Sequence, residues 1–203
     1  LAYFGHCETP VSEEFGDSCQ KGILYLIGEG MKNDGKMASN FTANSWVYEH
    51  AIATYALGEA ATFCKSVKVE IPCLMEITQK AGQFIIDNQN ENGGWAYAYA
   101  TYKGHTDTSV VGWQIQALRA CSHAGIKYNG MDASIRKGLK YLEEMQNENG
   151  GFGYSGPGGP AGKSNFFSLT GVGVLCFQMW DKGNSPQVRK GLKYIKENAK
   201  LDW

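Results

Sequence analysis

The heptapeptide "QNENGGW", ending at Trp95, is spelled again as "QNENGGF", ending at Phe152, 57 positions later. A chain that writes one polar, glycine-bearing joint twice is constrained to build the same local structure twice, so self-similarity is read before anything else. The flanking segments repeat as well. "IRKGLKYLEE" (135–144) and "VRKGLKYIKE" (188–197) agree at seven of ten positions, and "QKAGQFIID" (79–87) and "QKGILYLIG" (20–28) are more distant relatives. Ile135, Leu139, Leu142 and Met145 step by four, three and three, and Val188, Leu192 and Ile195 repeat the first two steps. That spacing marks one face of a helix, with Lys, Arg and Glu on the other. Each such stretch predicts an amphipathic helix with one wet side.

After each comes a glycine-rich loop and then a helix of different character. "TDTSVVGWQIQALRAC" carries only Asp107 and Arg119 as charges, "FFSLTGVGVLCFQMW" carries none, and "ANSWVYEHAIATYALGEAA" (43–61) is the first copy. A helix apolar nearly all round is enclosed on most sides. No single pair can cover its enclosed member, so neighbouring pairs must stack side by side. The expected fold class is therefore all-α, built of tandem helical hairpins in one domain over 1–203. Three whole units span about 16–64, 75–126 and 132–183, and the opening helix of a fourth lies within 185–203. That last unit stops before its enclosed partner, so the chain is expected to be part of a longer one.

Composition removes several function classes. The net charge is -1 with no basic cluster, which argues against a nucleic-acid surface. Six cysteines without a C-x-x-C pair predict scattered buried thiols rather than a zinc knuckle. The longest uncharged run, Ser164 to Trp180, is shorter than the ~20 apolar residues that span a bilayer, so no transmembrane segment is expected. "SGPGGPAGKSN" (155–165) ends like a phosphate loop at Gly162, Lys163 and Ser164, but Pro157 holds the leading-glycine position and no strand precedes it. It reads as a connecting loop. "NFT" (40–42) fits a glycosylation sequon.

The joint itself follows a pattern. One copy reads Lys137-Gly138, Tyr141-Leu142, Gln146, Gly150 and Phe152, and the other reads Lys80-Ala81, Phe84-Ile85, Gln89, Gly93 and Trp95 at the same spacing. This resembles the QW repeat of squalene–hopene cyclases, oxidosqualene cyclases and their prenyltransferase-like relatives. The first unit keeps Lys21-Gly22 and Tyr25-Leu26 but lacks the Gln and the Trp. "GGWAYAYATYKGHTDTSVVGWQIQALRACSHAGI" and "YEHAIATYALGEA" resemble a bacterial branch of such proteins. The resemblance implies an α/α toroid, with inner helices around a central cavity. Gln89, Trp95, Gln146 and Phe152 are expected to be structural: the amide bonds backbone groups at a helix end, the glycines turn the chain, and the aromatic packs over them.

The same resemblance frames the chemistry. Class II cyclases carry Asp-x-Asp-Asp-Thr-Ala before an inner helix, and the middle aspartate protonates the substrate. Aligned on Asp107-Thr108, Thr106 stands at that place, Gly104 at the first aspartate, and His105 in the variable slot. A threonine cannot protonate an alkene. Asp107 and Thr108 read first as a helix cap. The zinc-binding prenyltransferase pattern would need Asp-x-Cys where Thr108-Ser109 follow Asp107, so no metal and no cofactor are expected. Candidate catalytic residues are Asp107, His105 and His50, the last two expected near a cavity mouth. Tyr48, Tyr97, Thr108 and Trp113 are candidates to line a cavity, with Tyr99 beside them. His123 is expected to cap a helix end. The functional expectation is a toroid module that binds an isoprenoid, another apolar small molecule or a partner protein. A terpenoid cyclase with an acid near Asp107, or a zinc-dependent prenyltransferase-like subunit, stands as the alternative.

Overall fold

The computed structural model describes residues 10–100, 105–155 and 167–199. Among them lie seven α-helices and no strand: α1 (Gly16–Lys32), α2 (Trp46–Val67), α3 (Leu74–Asp87), α4 (Thr108–His123), α5 (Met131–Glu144), α6 (Phe167–Met179) and α7 (Pro186–Asn198). The chain is all-α, and none of these helices is long and apolar enough to cross a membrane. Helices with one wet face (α1, α3, α5, α7) alternate with enclosed ones. On α1 only the stripe Cys19, Ile23, Ile27 and Gly30 is buried beyond its first residue, whereas α2 buries Trp46, Val47, His50, Ala51 and most residues from Ala53 to Cys64.

The buried face of α7 differs from the one its sequence spacing suggests. Val188, Gly191 and Tyr194 point inward, while Leu192 is exposed. The cause is the close approach that only glycine permits. A Cβ on Gly191 would collide with the Val174 side chain and lie 3.7 Å from the Phe152 ring. Seating that glycine inward rotates Leu192 outward. The enclosed helix α6 also departs from expectation: Phe167, Gly171, Leu175 and Gln178 form an exposed stripe along it.

The chain packs as two compact units, with one division inside α4 and another at the border before Asp132. One unit comprises residues 1–88 with 116–131, the other 89–115 with 132–203. In the first, α1, α2 and α3 converge on a core that includes Ile23, Ile27, Met37, Leu57, Leu74 and Ile77. Its helices close on glycine: a Cβ on Gly58 would lie 2.8 Å from Ala120, and one on Gly30 would collide with the Ile77 side chain.

The second unit contains both copies of the repeated joint, and they match group by group. Gln89 Nε2 donates to Gly93 O at 2.8 Å and to Ser134 O at 2.9 Å. Gln146 Nε2 donates to Gly150 O at 3.0 Å and to Gln187 O at 2.9 Å. Gly93 and Gly150 adopt left-handed backbone (φ 86° and 96°), and a side chain on either would strike the carbonyl of Lys137 or Lys190. Trp95 and Phe152 are enclosed, each beside the small residue of the next amphipathic helix, Gly138 and Gly191. One amide thus ties a loop to itself and to the following hairpin.

A third, degenerate joint sits in the first unit. Gly35 (φ 86°) presses on Lys80 as Gly93 presses on Lys137, and two residues later Met37 is buried where the others place an aromatic. Its signal in the sequence was Lys80-Ala81, the counterpart of Lys137-Gly138 and Lys190-Gly191.

These contacts predict opposite signs for two glycine substitutions. Gly93→Ala should destabilise by about 1–3 kcal/mol, from strain at positive φ plus the carbonyl clash. Gly28→Ala, on α1 with no described residue near its Cβ, should stabilise by up to ~1 kcal/mol. Urea denaturation of both variants measures the difference.

Candidate functional site

Four of the sequence-nominated residues, Tyr97, His105, Asp107 and Thr108, lie together where α4 begins. An isolated antiparallel bridge between Ala96 and Thr106 brings the chain leaving Trp95 back beside the residue before Asp107. Thr106 is buried, and its Oγ1 accepts from Asn92 Nδ2 at 2.9 Å. Asp107 is fully enclosed. Its Oδ1 accepts from Ser109 N (2.8 Å), Val110 N (2.9 Å) and Ser109 Oγ (2.5 Å), so it caps the helix by satisfying amides that have no partner within the first turn. The capping donors leave its Oδ2 aside, and the Tyr154 hydroxyl interacts with this carboxylate. Thr108 is bound differently: N donates to Tyr154 O at 2.8 Å and Oγ1 to Gly153 O at 2.7 Å. The exit of the second joint therefore docks on the first turn of α4.

Tyrosines surround this helix start. Tyr97 and Tyr154 share a hydrogen bond between hydroxyls at 2.8 Å, and the exposed ring of His105 stands 5.9 Å from that of Tyr154. Burial, then the bond to Tyr97, then the Asp107 charge hold the Tyr154 phenol well above the usual range. Tyr99 is buried and donates to Gln114 Oε1 at 2.7 Å, and burial keeps it too in the phenol form. Ala98 and Tyr99 both adopt left-handed backbone (φ 53° and 52°), at a cost of roughly 1–2 kcal/mol each for L-residues. The Tyr99–Gln114 bond and the Ala96–Thr106 bridge hold that strained turn in place. The arrangement offers hydroxyls that donate and accept, one carboxylate oxygen left aside by the cap and flat aromatic faces.

Tyr154 was missed by sequence reasoning, although the signal was present: it follows Phe152 by two residues, as Tyr97 follows Trp95. Trp113 lies half-buried on α4, and Tyr48 half-buried on α2 in the other unit.

His50 is placed differently from the expectation of a cavity mouth. It is wholly enclosed in the first unit, where Met37 N–H donates to its Nδ1 at 3.2 Å. Its Nε2 therefore carries the proton and donates to Ala81 O, also at 3.2 Å. Both nitrogens serve the degenerate joint, as Thr170 Oγ1 serves the Phe152 amide at 3.0 Å in the third repeat. Burial lowers its pKa to about 4, with Lys36 adding to the effect. A ring so committed has no nitrogen left for a substrate.

Elsewhere, Cys19, Cys64, Cys121 and Cys176 are buried, and burial pushes the Cys121 and Cys176 thiols up to about 12. An open groove of about 680 Å³ lies where α2 ends and α3 begins, lined among others by Cys64, Val69, Ile71 and Met75 and by none of the nominated residues. No group of three or more His, Cys, Asp or Glu is arranged to hold a metal among the described residues. His6, Gly104 and the loop carrying Pro157, Gly162, Lys163 and Ser164 lie outside those residues. Compared with family models, curated proteins and solved structures, the chain matches none.

Two measurements test these environments. Asp107→Ala should lower stability by about 1–2 kcal/mol and Asp107→Asn by much less, because asparagine caps nearly as well; denaturant midpoints report both. For His50 the folded-state pKa is depressed, so the unfolded chain binds the proton first. Its contribution is complete above about pH 6.5 and is lost as pH falls towards 4, by up to about 3 kcal/mol. Unfolding free energies across that window should show a shallower pH slope in His50→Gln than in the wild type.

Proposed function

We propose that this chain is a squalene-cyclase- and prenyltransferase-like α/α-toroid repeat module that binds an apolar small molecule at the start of α4 rather than transforming one. In this reading α2, α4 and α6 are inner helices and the wet-faced helices are outer ones. The repeated joints and the alternation of enclosed and amphipathic helices support it. The observation that carries the functional part is the state of the helix start. Thr106 stands where a cyclase acid would, engaged by Asn92, and Asp107 Oδ1 is saturated by three donors as a cap. What remains for a ligand is the Tyr97–Tyr154 hydroxyl pair with aromatic faces beside it, suited to a hydrocarbon bearing one polar group. An isoprenoid alcohol has that chemistry.

One observation favours a second reading, a terpenoid cyclase: Asp107 Oδ2 is buried, left aside by the cap and next to the Tyr154 hydroxyl. Incubation with squalene or geranylgeranyl diphosphate followed by mass spectrometry separates the two. Under the binding reading no cyclised product forms. Geranylgeraniol instead binds in a fluorescence titration, and Tyr97→Phe or Tyr154→Phe weakens it about tenfold, roughly the worth of one hydrogen bond. Cyclised product that disappears in Asp107→Asn would replace the binding reading with the cyclase.

A further inference from the structure

The seam between α5 and the start of α7 repeats the one between α3 and the start of α5, and the two are closed differently. In the earlier seam the loop before α5 does the closing. The Tyr128 ring lies against Gly82, where a Cβ would stand 2.6 Å from it, and the Tyr128 hydroxyl donates to Thr78 O at 3.1 Å. Beside it Gln83 exchanges hydrogen bonds with the backbone of Asn129. Its Oε1 accepts from Asn129 N at 2.9 Å, and its Nε2 donates to Asn129 O at 3.1 Å. A phenol ring and a neutral amide thus close that seam.

The later copy changes each of these residues. Gln79, Gly82 and Gln83 of α3 become Arg136, Leu139 and Lys140 of α5, and Tyr128 and Asn129 become Asp181 and Lys182. The result is a recess of about 270 Å³, which Asp181 does not line. Leu139 and the buried Phe177 give it apolar lining, and Arg136, Lys140 and Lys182 give it three cations. None of these three makes an ion pair or a side-chain hydrogen bond among the described residues. The carboxylate in the lining, Glu143, accepts from Gln187 Nε2 at 2.5 Å. The helices and loops that form both seams are described throughout, and the earlier seam is closed by its own loop rather than by a later helix.

Size and charge define what fits. The recess is smaller than the ~300–1,000 Å³ of sites for drug-sized molecules, so it suits one ring with one substituent. Three cations against one carboxylate leave the lining two charges positive, which a phosphate monoester of about −1.5 to −2 at neutral pH offsets. The arginine adds a planar pair of donors that matches two phosphate oxygens. We propose that this recess binds an aromatic phosphate monoester, its ring on Leu139 and Phe177 and its phosphate held by Arg136, Lys140 and Lys182. The site is separate from the tyrosine pair at the start of α4 and does not rest on the ligand reading made there.

Titration with phenyl phosphate, followed by amide NMR, tests this, with inorganic phosphate and benzyl alcohol as separate arms. Phenyl phosphate should bind at least tenfold more tightly than either. Arg136→Gln with Lys140→Gln, which restores the residues of the earlier copy, should weaken it at least tenfold and leave helicity unchanged, since both side chains are exposed. Lys182→Gln repeats the measurement on the loop. Lys193→Gln with Lys196→Gln removes as much charge from α7 outside the recess and should change the affinity less than twofold. No spectral change at millimolar phenyl phosphate, inorganic phosphate bound as tightly as the aryl ester, or equal losses in the two double variants overturns the proposal.

Discussion

Much of this structure depends on a single side-chain amide that serves two carbonyls at once. A hydrogen bond contributes only about 1 kcal/mol net, so Gln89 and Gln146 do not dominate stability by strength. They matter because of what each carbonyl belongs to. One closes the loop on itself, and the other sits in the first turn of the following amphipathic helix. The glycine of each loop lets the backbone approach the helix beneath, and the aromatic two residues later fills the notch left by Gly138 or Gly191. Polar satisfaction, backbone freedom and apolar burial meet in one heptapeptide.

That joint also determines where the candidate site stands. The residues immediately after Phe152, Gly153 and Tyr154, receive the hydrogen bonds of Thr108 and so anchor the start of α4. Tyr97 leaves the other copy of the joint and meets Tyr154 through its hydroxyl. The tyrosine pair is therefore a product of the repeat: two equivalent positions, two residues beyond equivalent aromatics, brought face to face. Substitutions at this site act on packing and on ligand contacts together.

The copies are not equivalent, and their differences reflect local chemistry. Where the aromatic is replaced by Met37, the amide of that residue is met by His50; where Phe152 occupies the slot, Thr170 does the same task. A histidine can accept at one nitrogen and donate at the other, so His50 also reaches Ala81 O, which a threonine in that role need not do. At the other extreme of the series, the stripe of α6 around Gly171 keeps the small residue of the packing pattern, and among the described residues no side chain fills it.

Sequence alone determined the all-α class, the alternation of wet-faced and enclosed helices, and the pairing of Gln with a glycine turn, because those arise from periodicity and from close repetition. It also identified Asp107 as a helix cap, since capping depends on neighbours within one turn. Which way a helix turns its apolar residues escaped that reading: Leu192 sat on the expected buried stripe, yet Gly191 displaced it because close backbone approach outweighed burial of one leucine. The role of His50 and the meeting of Tyr97 with Tyr154 were equally beyond reach. Each joins residues distant along the chain, and only the packed structure, in which space and unsatisfied hydrogen-bonding groups are shared between elements, decides which of them touch.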